Sequence, residues 1–234
     1  MNENIQRYYQ KTDLPHALRE LKGRPIVVFD LETNGLSNRS SVLSCSAFKF
    51  SIRSSTSSKG TPGFPVEPDK TFEPDNPFEP NPFVFPEAGP LQLTDVFERY
   101  YFSREPENMG AIRVNGLSEE VIRSRRENED WPEYFSEDQD FLEFLGDAGL
   151  FVAHNIDFDA QFVPFLFEKP LFCTMKSNSI GKYPKLAELA RRFKINTEGD
   201  RLHGSSYDTY ITALVFNKMV EDALPASKQG EMFF

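Results

Sequence analysis

Four consecutive apolar positions, Ile26-Val27-Val28-Phe29, all β-branched or aromatic and two on either face, predict a strand buried on both sides. Residues 41–50, rich in small side chains, predict a second strand, and residues 97–102 a third. Ahead of them, Asp13 stands where a helix cap would, Leu14, Leu18 and Leu21 share one helical face, and Gly23 ends the turn. Later in the chain the spacing turns helical. Ser136 and Gln139 have capping-box spacing before Phe141, Leu142 and Leu145. Residues 150–153 predict a short buried strand, and residues 159–168 a helix bent or restarted at Pro164. Residues 185–193 put Leu186, Leu189 and Phe193 on one stripe, and residues 206–224 turn Ile211, Leu214, Val215 and Met219 inward. Strands first, then strands alternating with helices, predict a mixed α/β domain whose sheet is covered by helices.

This pattern is interrupted once. Residues 61–90 carry nine prolines and five phenylalanines, and a run of serines opens the stretch at residue 51. Proline at that density is incompatible with helix or central strand, so residues 51–92 are expected to be an insertion loop with extended, polyproline-like stretches between the second and third strands. The weak repeat FEPDNPFEPNPF is not a solenoid period. Its phenylalanines have two uses, docking on the main body or on a partner, set against a tolerated surface insertion. The expected organisation is an N-terminal arm and short helix over 1–23, a main domain over 24–222, and a flexible tail over 223–234.

Composition narrows the functional classes. The 234 residues suit one domain with an appendage. No run of 18 apolar residues exists, so no membrane-spanning helix and no membrane partner are expected. MNENIQRYYQ is polar with no apolar run behind it, so no secretory signal is expected. Two cysteines, Cys45 and Cys173, exclude a disulfide framework and fit a reducing, cytoplasmic location. The net charge of −10 argues against coating nucleic acid by bulk charge, but leaves room for a small site where metal ions meet the phosphate.

Three acidic clusters carry the candidate chemistry. Asp30 and Glu32 end the first buried strand, and residues two apart on a strand point to one face. Two carboxylates that close repel, and burying them unpaired is costly, which a divalent cation remedies. The plain alternative is a strand end whose acids sit in water. The second cluster, His154-Asn155-Ile156-Asp157-Phe158-Asp159, opens a helix; Asp159 is also an ordinary partner for the helix dipole, and Asp157 reads as a turn acid. The third, His203-Gly204-Ser205-Ser206-Tyr207-Asp208, leads into the last helix, where a loop histidine and a capping acid are the plain readings. Separately the three are weak. Their joint order decides, because the second motif alone fixes four positions, a chance match on the order of one in 10⁵ per position.

With these residues in view, the chain resembles the DnaQ-like (DEDDh) 3′→5′ exonucleases, the family of polymerase proofreading subunits. FDLETNGL, HNIDFD and LHGSSYD are similar to its three motifs, and Asn115-Gly116-Leu117-Ser118, Tyr183-Pro184-Lys185-Leu186 and Cys173-Thr174-Met175 support the match over about residues 24–222. The resemblance implies a ribonuclease-H-like fold, a mixed sheet flanked by helices. It implies that Asp30, Glu32, Asp159 and Asp208 hold two divalent cations, Mg²⁺ or Mn²⁺, and that His203 is the general base. Leu31, Thr33, His154 and Phe158 fall where relatives touch the terminal nucleotide. Four carboxylates are balanced by two divalent ions, which clamp the attacking and leaving oxygens of an in-line displacement. Nucleoside 5′-monophosphates from the 3′ end of DNA would be the products. Two departures are Asn115, where relatives often have histidine, and the polar Ser44-Cys45-Ser46 of the second strand.

The tail ends in Gln229-Gly230-Glu231-Met232-Phe233-Phe234, which is similar to a bacterial sliding-clamp-binding motif, Q-x-x-M/L-F. That makes Gln229, Met232 and Phe233 the expected clamp contacts, against a tail that folds back to bury them. Two other functions stand beside DNA exonuclease. One is an exoribonuclease of the same superfamily, separable only by contacts to the 2′-hydroxyl. The other is a catalytically silent binding module, which has no reason to keep four acids and a histidine together.

Overall fold

The computed structural model describes residues 8–53, 85–87, 89–197 and 204–224. Six strands form one mixed sheet: β1 (Tyr8–Tyr9), β2 (Ile26–Thr33), β3 (Val42–Ile52), β4 (Leu91–Tyr100), β5 (Leu150–Ala153) and β6 (Leu171–Cys173), in the spatial order β1-β6-β5-β2-β3-β4. β2, β3 and β4 run antiparallel to their neighbours as a meander, while β2, β5, β6 and β1 are parallel. The helices are α1 (Leu14–Glu20), α2 (Met109–Asn115), α3 (Glu119–Arg125), α4 (Gln139–Leu145), α5 (Ile156–Asp159), α6 (Thr174–Ser177), α7 (Leu186–Arg192) and α8 (Ser205–Ala223).

Strand alternation sorts the core into two layers. Ile26 and Val28 of β2 face the layer built with α1, α7 and α8. Val27, Phe29 and Leu31 face the other, built with α4 and the turns after α5. Central β2 is buried on both sides, as its apolar run requires. The alternation continues past the apolar run, so Asp30 and Glu32 emerge on the same side as Ile26 and Val28, towards α8.

Several expectations change. β2 carries both acids, as expected, and runs one residue past them to Thr33. β3 extends to Ile52 and β4 begins at Leu91, so both rims of the predicted 51–92 insertion are paired strand; residues 54–84 lie outside the described residues. Ladder hydrogen bonds between Ile52 and Leu91 outweigh the proline signal at these edges. Phe85, the last phenylalanine of the insertion, is buried and packs on Phe50 with ring centroids 4.7 Å apart, so this one docks on the main body. Gly89, at φ +122°, lets the chain turn into β4, since a Cβ there would come within 2.6 Å of the Asn217 amide nitrogen. The Asn217 carbonyl oxygen in turn accepts the Leu91 N–H at 3.2 Å.

The caps are also reassigned. Asp13 does not cap α1; its carboxylate accepts the N–H of Gln10. Leu14, Leu18 and Leu21 are nonetheless buried in the main core, so the helix of the N-terminal arm is an integral part of it. Asp138, not Ser136, caps α4 by accepting the Phe141 N–H. Ser136 lies inside a short 3₁₀ turn, Phe135–Glu137. The helix expected over 159–168 is α5 followed by two 3₁₀ turns, Ala160–Phe162 and Pro164–Glu168, because Pro164 has no N–H to continue the helix. α2, α3 and β6 carry no expectation from the sequence. They are short, and their apolar positions do not fill a period.

Candidate active site

The site forms where β2, β5 and α8 converge. β5 is parallel to β2, and the chain leaves its carboxyl end through His154 into α5. Carboxyl ends of parallel strands are where open α/β sheets place their ligands. α8 starts on the same edge, with Asp208 in its first turn.

Asp30, Glu32 and Asp208 each present a carboxylate oxygen, and these oxygens lie within 4.8 Å of one another. Asp159 is buried and is not part of that close trio. Its Oδ1 accepts the Leu31 N–H at 3.2 Å, which fixes it against the strand that carries the other two acids. Burial raises all three acids of the strand and α5. Asp30 is held well above the ordinary carboxylate range by desolvation, then by Asp159, Glu32 and Asp208. Glu32 is pushed to about 8 by desolvation, then by Asp208 and Asp159. Asp159 is pushed to about 8 by desolvation, against the Leu31 N–H that lowers it. Asp30, Glu32 and Asp159 have no basic partner among the described residues. A set of oxygen donors without countercharge is what divalent cations neutralise, so these residues suit such ions.

His203 lies outside the described residues. Thr33 is buried, and its hydroxyl donates to the Gly35 carbonyl at 2.7 Å, shaping the turn beyond the acids. Leu31 is buried on the opposite face of β2. Phe158 is half-buried, edge-on to Phe162 at 5.4 Å. His154 is held at both nitrogens: Nδ1 lies 3.1 Å from the Thr174 hydroxyl and Nε2 3.2 Å from the Pro184 carbonyl. A carbonyl only accepts, so Nε2 carries the proton and Nδ1 accepts from Thr174. Burial pushes this imidazole down to about 4, so it stays neutral at physiological pH. Asp157, which read as a turn acid, pairs with Lys176.

Both sequence departures find a place beside the acids. In the β2–β3 register Asp30 is opposite Ser46 and Glu32 opposite Ser44, so the serines share the acids' face. The Ser44 hydroxyl bonds Ser205 of α8 at 2.9 Å, and Thr209 of α8 donates to the Ser46 carbonyl at 3.3 Å. Small side chains here admit α8, and with it Asp208, close to the strand. Asn115 ends α2, where Gly116 at φ +71° closes the helix. Its amide nitrogen donates to the Thr33 carbonyl at 3.2 Å, and the same side chain bonds Glu32 and lowers it. The strand register was the signal for the serines; for Asn115 only its place in the Asn-Gly-Leu-Ser segment pointed here.

No family model matches the chain. Curated relatives do. The epsilon subunit of DNA polymerase III from Haemophilus influenzae is 30% identical over 129 residues, which is 49% of this chain and 47% of that protein. The PolC-type DNA polymerase III of Bacillus subtilis is 28% identical over 145 residues, 56% of this chain and 10% of that polymerase. The chain thus spans about half the length, or less, of these relatives. Among solved structures, Exonuclease X in complex with 5′ overhanging duplex DNA superposes with a TM-score of 0.53 at 17% identity, covering 89% of this chain and 99% of that one. The chain is similar in sequence to these polymerase proteins and shares its fold with that exonuclease structure. The architecture they share is a mixed sheet flanked by helices, as expected from the sequence. Among the described residues no helix of the chain is long and apolar enough to cross a membrane.

Proposed function

We propose that the chain is a metal-dependent 3′→5′ exonuclease that hydrolyses terminal phosphodiester bonds of DNA to nucleoside 5′-monophosphates, in repair or proofreading. The observation that carries this reading is the convergence of Asp30, Glu32 and Asp208 within 4.8 Å, with buried Asp159 raised beside them and no basic partner for Asp30, Glu32 or Asp159 among the described residues. These four acids would hold two ions, Mg²⁺ or Mn²⁺. When bound, the ions would neutralise the acids, activate water and steady the departing 3′ oxygen. His203, an imidazole of the residue type suited to general-base work, accepts the proton of the attacking water. Of the four residues expected at the terminal nucleotide, Thr33, His154 and Phe158 would meet it with their side chains, whereas Leu31, buried on the opposite face of β2, would contribute only its main chain. Phe158 offers a half-buried ring for a base, and His154, kept neutral and clamped at both nitrogens, offers its carbon edge and orients the loop before Asp159.

On this reading residues 24–222, with α1 packed into their core, are the nuclease unit, working in the cytoplasm. The tail residues Gln229, Met232 and Phe233, outside the described residues, are proposed to bind a bacterial sliding clamp; the support is the spacing Q-x-x-M-F. A pull-down with purified clamp compares the wild-type chain with one ending at Lys228. Equal capture by both, or by neither, removes the clamp assignment.

The decisive experiment uses 5′-labelled DNA and RNA oligonucleotides with Mg²⁺ or Mn²⁺. Stepwise shortening of DNA from the 3′ end, with release of 5′-mononucleotides and arrest by EDTA, is expected. His203→Ala is expected to lower turnover at least about a hundredfold. No shortening of DNA with either ion overturns the reading, and shortening of RNA alone replaces it with an exoribonuclease.

A further inference from the structure

The charge of the chain is unevenly distributed. Residues 174–194 hold six cations, Lys176, Lys182, Lys185, Arg191, Arg192 and Lys194, and one acid, Glu188, within a protein of net charge −10. Glu188 bonds Arg192 at 2.6 Å and lies 3.8 Å from Lys182, while Lys176 pairs with Asp157. Lys185, Arg191 and Lys194 are exposed and have no carboxylate partner among the described residues. Two large side chains stand in solvent in the same segment, Ile180 at 81% and Tyr183 at 60% exposure. Exposed cations interleaved with an unpacked aromatic ring are the combination that binds single-stranded nucleic acid, phosphates on the cations and a base on the ring.

The segment is bolted to the acid site. The Met175 N–H and the Cys173 thiol both donate to the His154 carbonyl, at 3.1 and 3.2 Å, and His154 Nε2 donates to the Pro184 carbonyl at 3.2 Å. His154 lies five residues before Asp159 in the same turn-and-helix segment. A strand whose 3′ end enters the acid cluster therefore meets this segment next.

We propose that residues 176–194 form a binding track for the single-stranded backbone leading to the 3′ terminus, with Tyr183 stacking on one base. This rests on the nuclease reading for where the terminus lies. It also resolves a conflict, since the acid cluster and net charge repel a polyanion that the track attracts.

Binding of a labelled oligothymidylate is measured by fluorescence anisotropy in EDTA, which separates binding from hydrolysis. The triple variant Lys182→Ala, Lys185→Ala, Arg191→Ala is expected to bind about tenfold more weakly at low salt. Its slope of log affinity against log salt should be shallower by about 2. Tyr183→Ala is expected to lose about fivefold with the slope unchanged. The control triple Arg19→Ala, Lys22→Ala, Lys218→Ala removes the same charge elsewhere and is expected to bind like wild type. With Mg²⁺, the track triple should raise KM and spare kcat. The proposal is overturned if the track triple binds like wild type, if the control triple loses as much, or if wild type shows no binding at low salt. It is also overturned if blunt duplex binds more tightly than the single strand. Track-dependent binding without hydrolysis would leave the track standing and remove the nuclease reading; hydrolysis indifferent to the track would do the reverse.

Discussion

Two groups of buried acids in this protein are treated in opposite ways. Asp138 is buried, and every direction around it is answered: Arg99 at 2.9 and 2.8 Å, the Tyr101 hydroxyl at 2.8 Å and the Phe141 N–H at 3.2 Å. Arg99 also reaches Asp140 at 2.7 Å. Across the sheet, Asp30, Glu32 and Asp159 are raised by burial and by one another. The same fold thus shows how it buries a carboxylate for structure. A buried charge without a partner costs several kcal/mol, so in the metal-free chain the second group holds its protons unusually strongly, and a divalent cation is what would let it ionise. The contrast between the two groups, more than the number of acids, marks one as scaffold and the other as site.

The strongest way to break this comparison is to remove one acid from each group. Asp30→Ala and Asp208→Ala are expected to abolish nuclease activity, at least about a thousandfold in kcat, the scale of lost electrostatic stabilisation in a transition state, while the fold persists. Circular dichroism and urea unfolding check the fold. Activity within tenfold of wild type in either variant would remove the metal assignment. Asp138→Ala should do the opposite. It leaves Arg99 and the Tyr101 hydroxyl without their shared acceptor and uncaps α4, and is expected to destabilise by about 3–5 kcal/mol in urea unfolding with kcat little changed. A loss under about 1 kcal/mol would mean that Asp140 alone suffices to hold Arg99.

The second test uses pH. Glu32 and Asp159 hold protons up to about 8 when folded, while their unfolded counterparts ionise in the ordinary carboxylate range. The folded, metal-free chain therefore binds more protons than the unfolded chain, and its stability falls as pH rises through that window. His154 works against this below its unfolded value. Folded, it titrates at about 4, so between roughly 6.5 and 4 the unfolded chain binds the proton and stability falls as pH falls. Between roughly pH 6.5 and 8 the acids act without that opposition. Stability in EDTA is expected to drop by about 1–2 kcal/mol across this interval, allowing for solvent at the site's open edge, and Mg²⁺ should remove the drop. Metal-free stability that is flat or rises over the same interval would show the acids to be ordinary and solvated.

How much of this contrast was legible in the sequence differs between the two groups. Asp30 and Glu32 were placed on one face by strand alternation, and Asp208 in a helix start by the apolar spacing of α8. Their convergence came from motif order and not from any local property, because contacts such as the Leu31 N–H to Asp159, 128 residues apart, have no local signature. Asp138 was missed entirely. Local spacing favoured Ser136 and Gln139 as a capping box, but a residue buried against Arg99 and Tyr101 gains more there than a serine in solvent, so tertiary contacts chose the cap. β4 was read short for a related reason: prolines end at residue 90, and the strand starts at once because β3 supplies partners from Ile52 onward.

The smallest effect tests the same rule at the scale of one hydroxyl. Ser44 and Ser46 are both fully buried on β3, both beside the acids, and differ in satisfaction. Ser44 bonds Ser205, whereas the Ser46 hydroxyl has no partner among the described residues. If satisfied burial stabilises and unsatisfied burial costs, the two alanine variants must differ in sign. Ser44→Ala strands the Ser205 hydroxyl and is expected to destabilise by about 1 kcal/mol; Ser46→Ala removes an unpaired hydroxyl and is expected to be neutral or stabilising by up to about 1 kcal/mol in the metal-free chain. Addition of Mg²⁺ sharpens the reading. Asp30 lies opposite Ser46, so a hydroxyl kept for the loaded site should make Ser46→Ala raise the Mg²⁺ concentration at the midpoint of stabilisation, which Ser44→Ala should leave alone. Equal and same-signed effects for both variants, with and without Mg²⁺, would mean that the serines serve only to let α8 approach the sheet.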